Sequence, residues 1–314
     1  MEKIKLGNTG IEVSRLCFGT LTMGPLQRNL PLNEGAALLE RAFSLGVNFL
    51  DTAEIYGTYP YVNKALTIKR DVVVCTKSYA YDAATAEESW RKAVKGIGRE
   101  FIDIFLLHEQ ESEHTLRGHR EAIEFYLKKQ RQGYIGAFGV STHFIRCVQA
   151  SLKYPEIQVI FPLINLSGVG IADGTTDQML GAIKSASDLG KGIIAMKPLG
   201  GGHLIGRREH ALKFILGLDC VHTIAIGMQS IAEVNYNCAV FSGRLPDESD
   251  AGLIRNQKRE LLIQSWCEGC GTCVSVCKSG AIGLENGKAK VDPDKCVFCG
   301  YCAGRCPQFC IKVI

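Results

Sequence analysis

No stretch of this 314-residue chain reaches the roughly 18 consecutive apolar residues of a membrane-spanning helix. The opening segment MEKIKLGNTGIEV also lacks the apolar core of a secretory signal. Long runs of one charge sign are missing too. With a formal net charge of +4 and both signs interspersed, neither a nucleic-acid partner nor a polybasic membrane surface is expected. The expectation is a soluble, cytoplasmic protein with no membrane and no nucleic-acid partner. A further absence bears on the fold: no G-x-G-x-x-G follows the first apolar run, which counts against a doubly wound dinucleotide-binding sheet.

What is present is a hydrophobic fraction of 46%, enough for a sizeable core, and a length that suggests about two domains. Eight short apolar runs alternate with segments of helical period: Val13 to Phe18, Val47 to Leu50, Val72 to Cys75, Ile102 to Leu107, Ile135 to Val140, Val159 to Ile164, Ile193 to Met196 and Thr223 to Ile226. Strands buried on both faces read as continuous apolar runs, as these do. Helices are expected between them, over Asn33 to Leu45, Thr85 to Ile97, Gly118 to Arg131 and Ile231 to Phe241, with Asn33 and Thr85 as capping residues. Eight βα units in about 240 residues suit an α/β fold of the (β/α)8 TIM-barrel type, spanning residues 1–245. Residues 246–266 read as a linker and a connecting helix from Ala251 to Trp266, leading into a small α+β domain over 267–314.

Cysteine placement defines that small domain. Nine of the fourteen cysteines lie between Cys267 and Cys310, while Cys17, Cys75, Cys147, Cys220 and Cys238 are scattered singly and read as small buried hydrophobes. The tail holds two C-x2-C-x2-C-x3-C runs, the spacing of a two-cluster bacterial ferredoxin. Three close thiolates wrap one [4Fe-4S] cubane and the fourth reaches the other. Cluster one is therefore assigned Cys267, Cys270, Cys273 and Cys306, and cluster two Cys296, Cys299, Cys302 and Cys277. Zinc sites use C-x2-C pairs instead, and a disulfide framework would be unusual in a cytosolic chain. Cys310 falls outside both runs and reads as structural. AIGLENGKAKV, between the runs, carries an Asn-Gly hairpin signal.

Four polar residues fall at or after the ends of candidate strands two to four: Asp51, Tyr56, Lys77 and His108. Strand ends of this kind line the active mouth of a barrel. Tyr56 could protonate a developing alkoxide if Lys77 lowered its pKa, with Asp51 holding the lysine charged and His108 polarising a carbonyl. Singly, each has a structural explanation such as a buried salt bridge. Jointly, with LGNTGIEVSRLCFGT, DTAEIYG, CTKS and LLH around them, they resemble the aldo-keto reductase superfamily over residues 1 to 243. With the tail, the chain resembles bacterial and archaeal members that carry a C-terminal ferredoxin domain.

That resemblance implies a barrel, a nicotinamide cofactor, NAD(H) or NADP(H), held without a Rossmann fold, and the four residues above as catalytic. It also implies cofactor contacts from Ser141 and Thr142, Asn165, Leu199, Gly200 and Gly201 after strand seven, and Gly227, Gln229, Ser230 and Asn237 around strand eight. Phe161 and Met196 depart from it, standing where a carboxamide-binding glutamine and a stacking aromatic are usual. Gln229 and Glu233 stand where cations often meet a 2′-phosphate, which makes NAD at least as good an expectation as NADP. A hydride carries two electrons and a cluster one, so a flavin and an external one-electron carrier are also considered. The expected function is an oxidoreductase acting on a small-molecule carbonyl or alcohol. The alternatives are a carbonyl reductase with structural clusters, and an electron-transfer or redox-sensing protein whose barrel binds nucleotide without turnover.

Overall fold

The computed structural model describes residues 1–277, 279–296 and 301–314. Eight parallel strands close into a barrel: β1 (Leu16–Gly19), β2 (Phe49–Asp51), β3 (Val73–Ser78), β4 (Ile102–Leu107), β5 (Ile135–Thr142), β6 (Val159–Pro162), β7 (Gly192–Met196) and β8 (Thr223–Gly227). Closure comes from β8, which pairs with both β7 and β1. Every apolar run expected to be a strand contributes one. Inside the barrel, Cys17, Phe49, Cys75, Ile104, Leu106, Val159, Phe161 and Ile194 pack as a filled core. A larger apolar layer lies between the strands and the surrounding helices. Cys147 and Cys238 are buried there, and Cys220 lies at its edge.

Four local expectations need correction. The run Val13 to Phe18 is two elements: Glu12–Ser14 pairs antiparallel with Lys3–Lys5, and the barrel strand starts at Leu16. This hairpin closes the bottom of the barrel, burying Leu6 and Val13 against its interior. The helix over Ala83–Ile97 is capped by Asp82, whose carboxylate accepts from the Thr85 amide at 2.8 Å, so Thr85 is the third helical residue of a capping box. The first helix, Leu32–Ser44, follows Pro31 and has no side-chain cap, so Asn33 lies inside it. The stretch Gly118 to Arg131 also breaks at His119, into Glu113–Gly118 and Arg120–Arg131.

The expected connecting helix from Ala251 to Trp266 is likewise overturned. A helix spans Glu248–Arg255, and Leu261–Ile263 is a strand paired antiparallel with Ile311–Val313. Cross-strand pairing outweighs the helical spacing of the apolar residues there. The small C-terminal unit thus starts before its first cysteine. Its hairpin, Ile282–Glu285 with Lys288–Val291, turns at Asn286 and Gly287, whose φ values of 50° and 73° suit a tight two-residue turn.

This unit packs on the barrel mouth through its last residues. A Cβ on Gly202 would lie 2.3 Å from the Val313 carbonyl oxygen, and one on Gly201 would lie 3.2 Å from both Phe309 and Lys312. The His203 ring nitrogen Nε2 lies 3.2 Å from the Ile311 carbonyl oxygen.

Candidate active site and cluster cradle

The fold brings Asp51, Tyr56, Lys77 and His108 to one point. Asp51 ends β2, Lys77 lies next to last in β3, His108 follows β4, and Tyr56 sits in the turn after β2. Lys77 Nζ lies 2.6 Å from Asp51 Oδ1 and donates to the Thr52 carbonyl at 2.9 Å. Burial alone would drive the Lys77 ammonium toward neutrality, but Asp51 overrides it and holds the lysine charged. The Phe161 ring, 5.0 Å from Nζ at its centroid, and the Tyr56 ring, at 4.9 Å, enclose the ammonium. Tyr56 Oη lies 3.4 Å from His108 Nε2. Tyr79 stacks on the imidazole at 4.6 Å and donates its hydroxyl to Glu109 at 2.5 Å.

Charge states follow from these surroundings. Burial raises the Tyr56 phenol above its ordinary value, and Lys77 offsets only part of that. The expected lowering by Lys77 is therefore outweighed by desolvation, and Tyr56 rests as a protonated donor. His108 is pushed well below the usual imidazole range, first by burial and then by Lys77 and Lys197, so it is neutral. Its Nδ1 is buried without a partner. A neutral imidazole carrying its proton on Nε2 can donate toward the point that Tyr56 also addresses. The arrangement suits protonation of an oxyanion formed from a carbonyl.

The residues expected to hold a nucleotide are arranged differently. Ser141 Oγ accepts from the Glu109 amide at 2.9 Å, and Thr142 Oγ1 accepts from the Phe144 amide at 2.9 Å. Asn165 braces its own loop, accepting from Ser167 and Val169 and donating to the Val169 carbonyl. The Leu199 carbonyl accepts from Gly202 and Leu204. Gly200 packs near Leu204 and Val169, and Gly201 lies under the C-terminal segment. Gly227 abuts Thr22, and the Gln229 amide donates to Glu233 at 2.6 Å. Ser230 caps the helix Ile231–Phe241, on which Asn237 bonds back to the Glu233 carbonyl. Glu233 is not a lone negative charge, because Arg208, Arg259 and Arg28 act on it. Gly201 and Gly202 of the glycine loop are thus covered by the C-terminal segment.

The cysteines fit their expected group better. Cys267, Cys270, Cys273 and Cys306 line one pocket, together with Gly269, Gly271 and Cys310. The Ala289 amide donates to Cys267 Sγ at 3.4 Å and the Ala281 amide to Cys277 Sγ at 3.2 Å. Amide donation of this kind stabilises thiolate charge. Cys310 Sγ lies 3.4 Å from Cys306 Sγ, so it is part of the cradle wall. Cys296, Cys302 and Cys277 belong to the same small core, whereas Cys299 lies outside the described residues. The sequence reasoning missed Tyr79, Glu109, His143, Lys197, Phe309 and Lys312 at the mouth. Of these, Lys197 follows β7 directly, a position that could have drawn attention to it.

Among the described residues no helix is long and apolar enough to cross a membrane. Comparison with known proteins agrees with the geometry. L-galactose dehydrogenase of Arabidopsis thaliana is 25% identical over 288 residues, covering 76% of this chain and 88% of that protein. The uncharacterized oxidoreductase YqkF of Bacillus subtilis is 21% identical, covering 83% and 98%. The holo form of aldo-keto reductase AKR11C1 from Bacillus halodurans superposes with a TM-score of 0.66 at 21% identity, covering 81% of this chain and 95% of that one, and shares the fold. Residues 266–310 match the 4Fe-4S dicluster domain, and residues 15–211 match the Aldo/keto reductase family. The chain belongs to the aldo/keto reductase family and is an oxidoreductase with a C-terminal iron-sulfur domain.

Proposed function

We propose that this protein interconverts a small-molecule carbonyl and its alcohol, with Tyr56 as the proton donor. The observation that carries the reading is the contact of Tyr56 with neutral His108 above a lysine held charged by Asp51. His108 orients and polarises the carbonyl oxygen. Tyr56 gives its proton to the oxygen as charge develops, and Lys77 stabilises the phenolate left behind. In the reverse direction the phenolate takes the proton back.

Two [4Fe-4S] clusters are part of the proposal. One is held by Cys267, Cys270, Cys273 and Cys306, the other by Cys296, Cys299, Cys302 and Cys277, and when bound they supply one-electron transfer to an external carrier. Membership of the family implies a nicotinamide nucleotide in general. Reduction of the carbonyl takes two electrons and two protons: because Gly201 and Gly202 are covered, the electrons would come one at a time from a reduced external one-electron carrier through the clusters, with Tyr56 giving the proton on oxygen and water the one on carbon, and the described residues give a flavin no support. Domain limits near 245 and 260 belong to the same reading.

The test is Tyr56→Phe in anaerobically purified holoprotein. Reduction of an accepted carbonyl substrate should fall by about a hundredfold to ten-thousandfold. Iron content should stay at about eight per chain in both proteins. Full activity in the variant would refute Tyr56 as the donor.

A further inference from the structure

Above the proposed carbonyl site lies a group of basic side chains that take no direct part in the proton transfer. Lys197 follows β7 and places Nζ 2.7 Å from His143 Nε2 and 4.6 Å from the centroid of the Phe309 ring. Lys312, from the C-terminal strand, places its Nζ 3.2 Å from that centroid and donates to the Phe309 carbonyl. The edge of the His143 ring meets the same aromatic at 5.7 Å. Two lysine amines and an imidazole from two domains therefore converge on one side chain, next to His108.

Their counter-charge comes from Glu109 and, for Lys312, from Cys306 and Cys310 of the cluster cradle. Glu109 is the nearest carboxylate acting on both lysines, but it lies 3.9 Å from His143 with its side chain 45% exposed, and it already accepts from Tyr79. The other acids of this loop are engaged elsewhere, Glu111 with Arg146 and Glu113 with Lys153. Lys312 is only 6% exposed, and like charges in such a place are costly unless a ligand brings the opposite sign. The backbone adds an independent sign. Glu109, Lys197 and Phe309 hold φ at 49°, 58° and 46°, a left-handed region that such residues rarely occupy and that gathers at functional sites.

We infer that Lys197, His143 and Lys312 form an oxyanion-binding subsite at the barrel mouth, completed by the iron-sulfur domain, which takes the carboxylate or phosphate group of a small ligand. The inference deepens the proposed carbonyl site by naming its substrate class, a carbonyl compound with a nearby acidic group. A lysine at the ligand's oxyanion supplies charge-assisted hydrogen bonds, whereas a neutral ketone of equal size gains none.

The test is calorimetric titration of the anaerobic holoprotein with 2-oxobutyrate, 2-butanone and inorganic pyrophosphate. 2-Oxobutyrate should bind at one site per chain, at least about tenfold more tightly than 2-butanone. Lys197→Met and Lys312→Met should each weaken it by about tenfold or more, and Lys197→Arg should restore most of the affinity. Iron content and melting temperature measured alongside identify any variant that fails to fold. Binding of pyrophosphate alone, even with the same lysine dependence, would overturn the substrate class inferred here. Binding of neither anion, or binding indifferent to Lys197, would overturn it. Tyr56→Phe should leave anion binding intact, so failure of the proton-donor reading is distinguishable from failure of this one.

Discussion

The two sides of the barrel mouth spend their polar groups differently. On the side of β2 to β4, Tyr56 Oη and His108 Nε2 face each other at 3.4 Å, while His108 Nδ1 is left without a partner. On the side of β6 to β8, the corresponding groups brace their own loops, and the C-terminal strand lies on the glycines. The contrast separates a side whose polar groups face one another across an open point from a side that the C-terminal segment covers.

Lys77→Met attacks the first side and should have the largest effect on stability. It leaves the Asp51 carboxylate buried without its cation, at 6% residue exposure, so unfolding free energy should drop by about 3–5 kcal/mol in denaturant titration. In folded protein, turnover should also fall, with the alkaline limb of the pH profile moved upward, because the phenol loses its stabilising neighbour. Unchanged stability would mean that the pair is not the buried unit described.

Gly202→Ala probes the other side. Its φ of 96° disfavours any side chain, and the new Cβ would meet the Val313 carbonyl. A loss of about 1–3 kcal/mol and faster proteolysis of the C-terminal unit are expected. If the variant is as stable as the parent, the strand does not rest on this loop in solution.

A smaller, shared effect is acid sensitivity. Burial holds His108, His143 and His203 below the 6.5 of an exposed imidazole, with His203 at about 4. Between about 6.5 and these lower values the unfolded chain binds protons that the fold does not, so stability is full above about 6.5 and falls as pH drops toward about 4. Melting at pH 7.5 and 5.5 should show the loss, and His203→Gln should reduce it. An equal loss in that variant would remove His203 from the account.

Much of this was legible in the sequence because the barrel strands are continuous apolar runs and the cysteines sit at ligand spacing. All eight strands were readable, and so were the four residues at the strand ends. The capping role of Asp82 was harder to see, since Thr85 takes part in the same box. The strand Leu261–Ile263 was hidden because its partner, Ile311–Val313, lies about fifty residues away and local periodicity carries no trace of that pairing. The same long-range contact explains why Phe309 and Lys312 were missed: nothing near them in the chain points to the barrel.

The most direct test of the contrast between the two sides is calorimetric titration of the anaerobic, full-length holoprotein with NADH and NADPH. With the C-terminal strand on Gly201 and Gly202, neither nucleotide should bind with a Kd below about 1 mM, which corresponds to about 4 kcal/mol of binding free energy. In Gly202→Ala, where the strand is loosened, affinity should rise. Micromolar binding of either nucleotide to the unaltered protein would contradict the account.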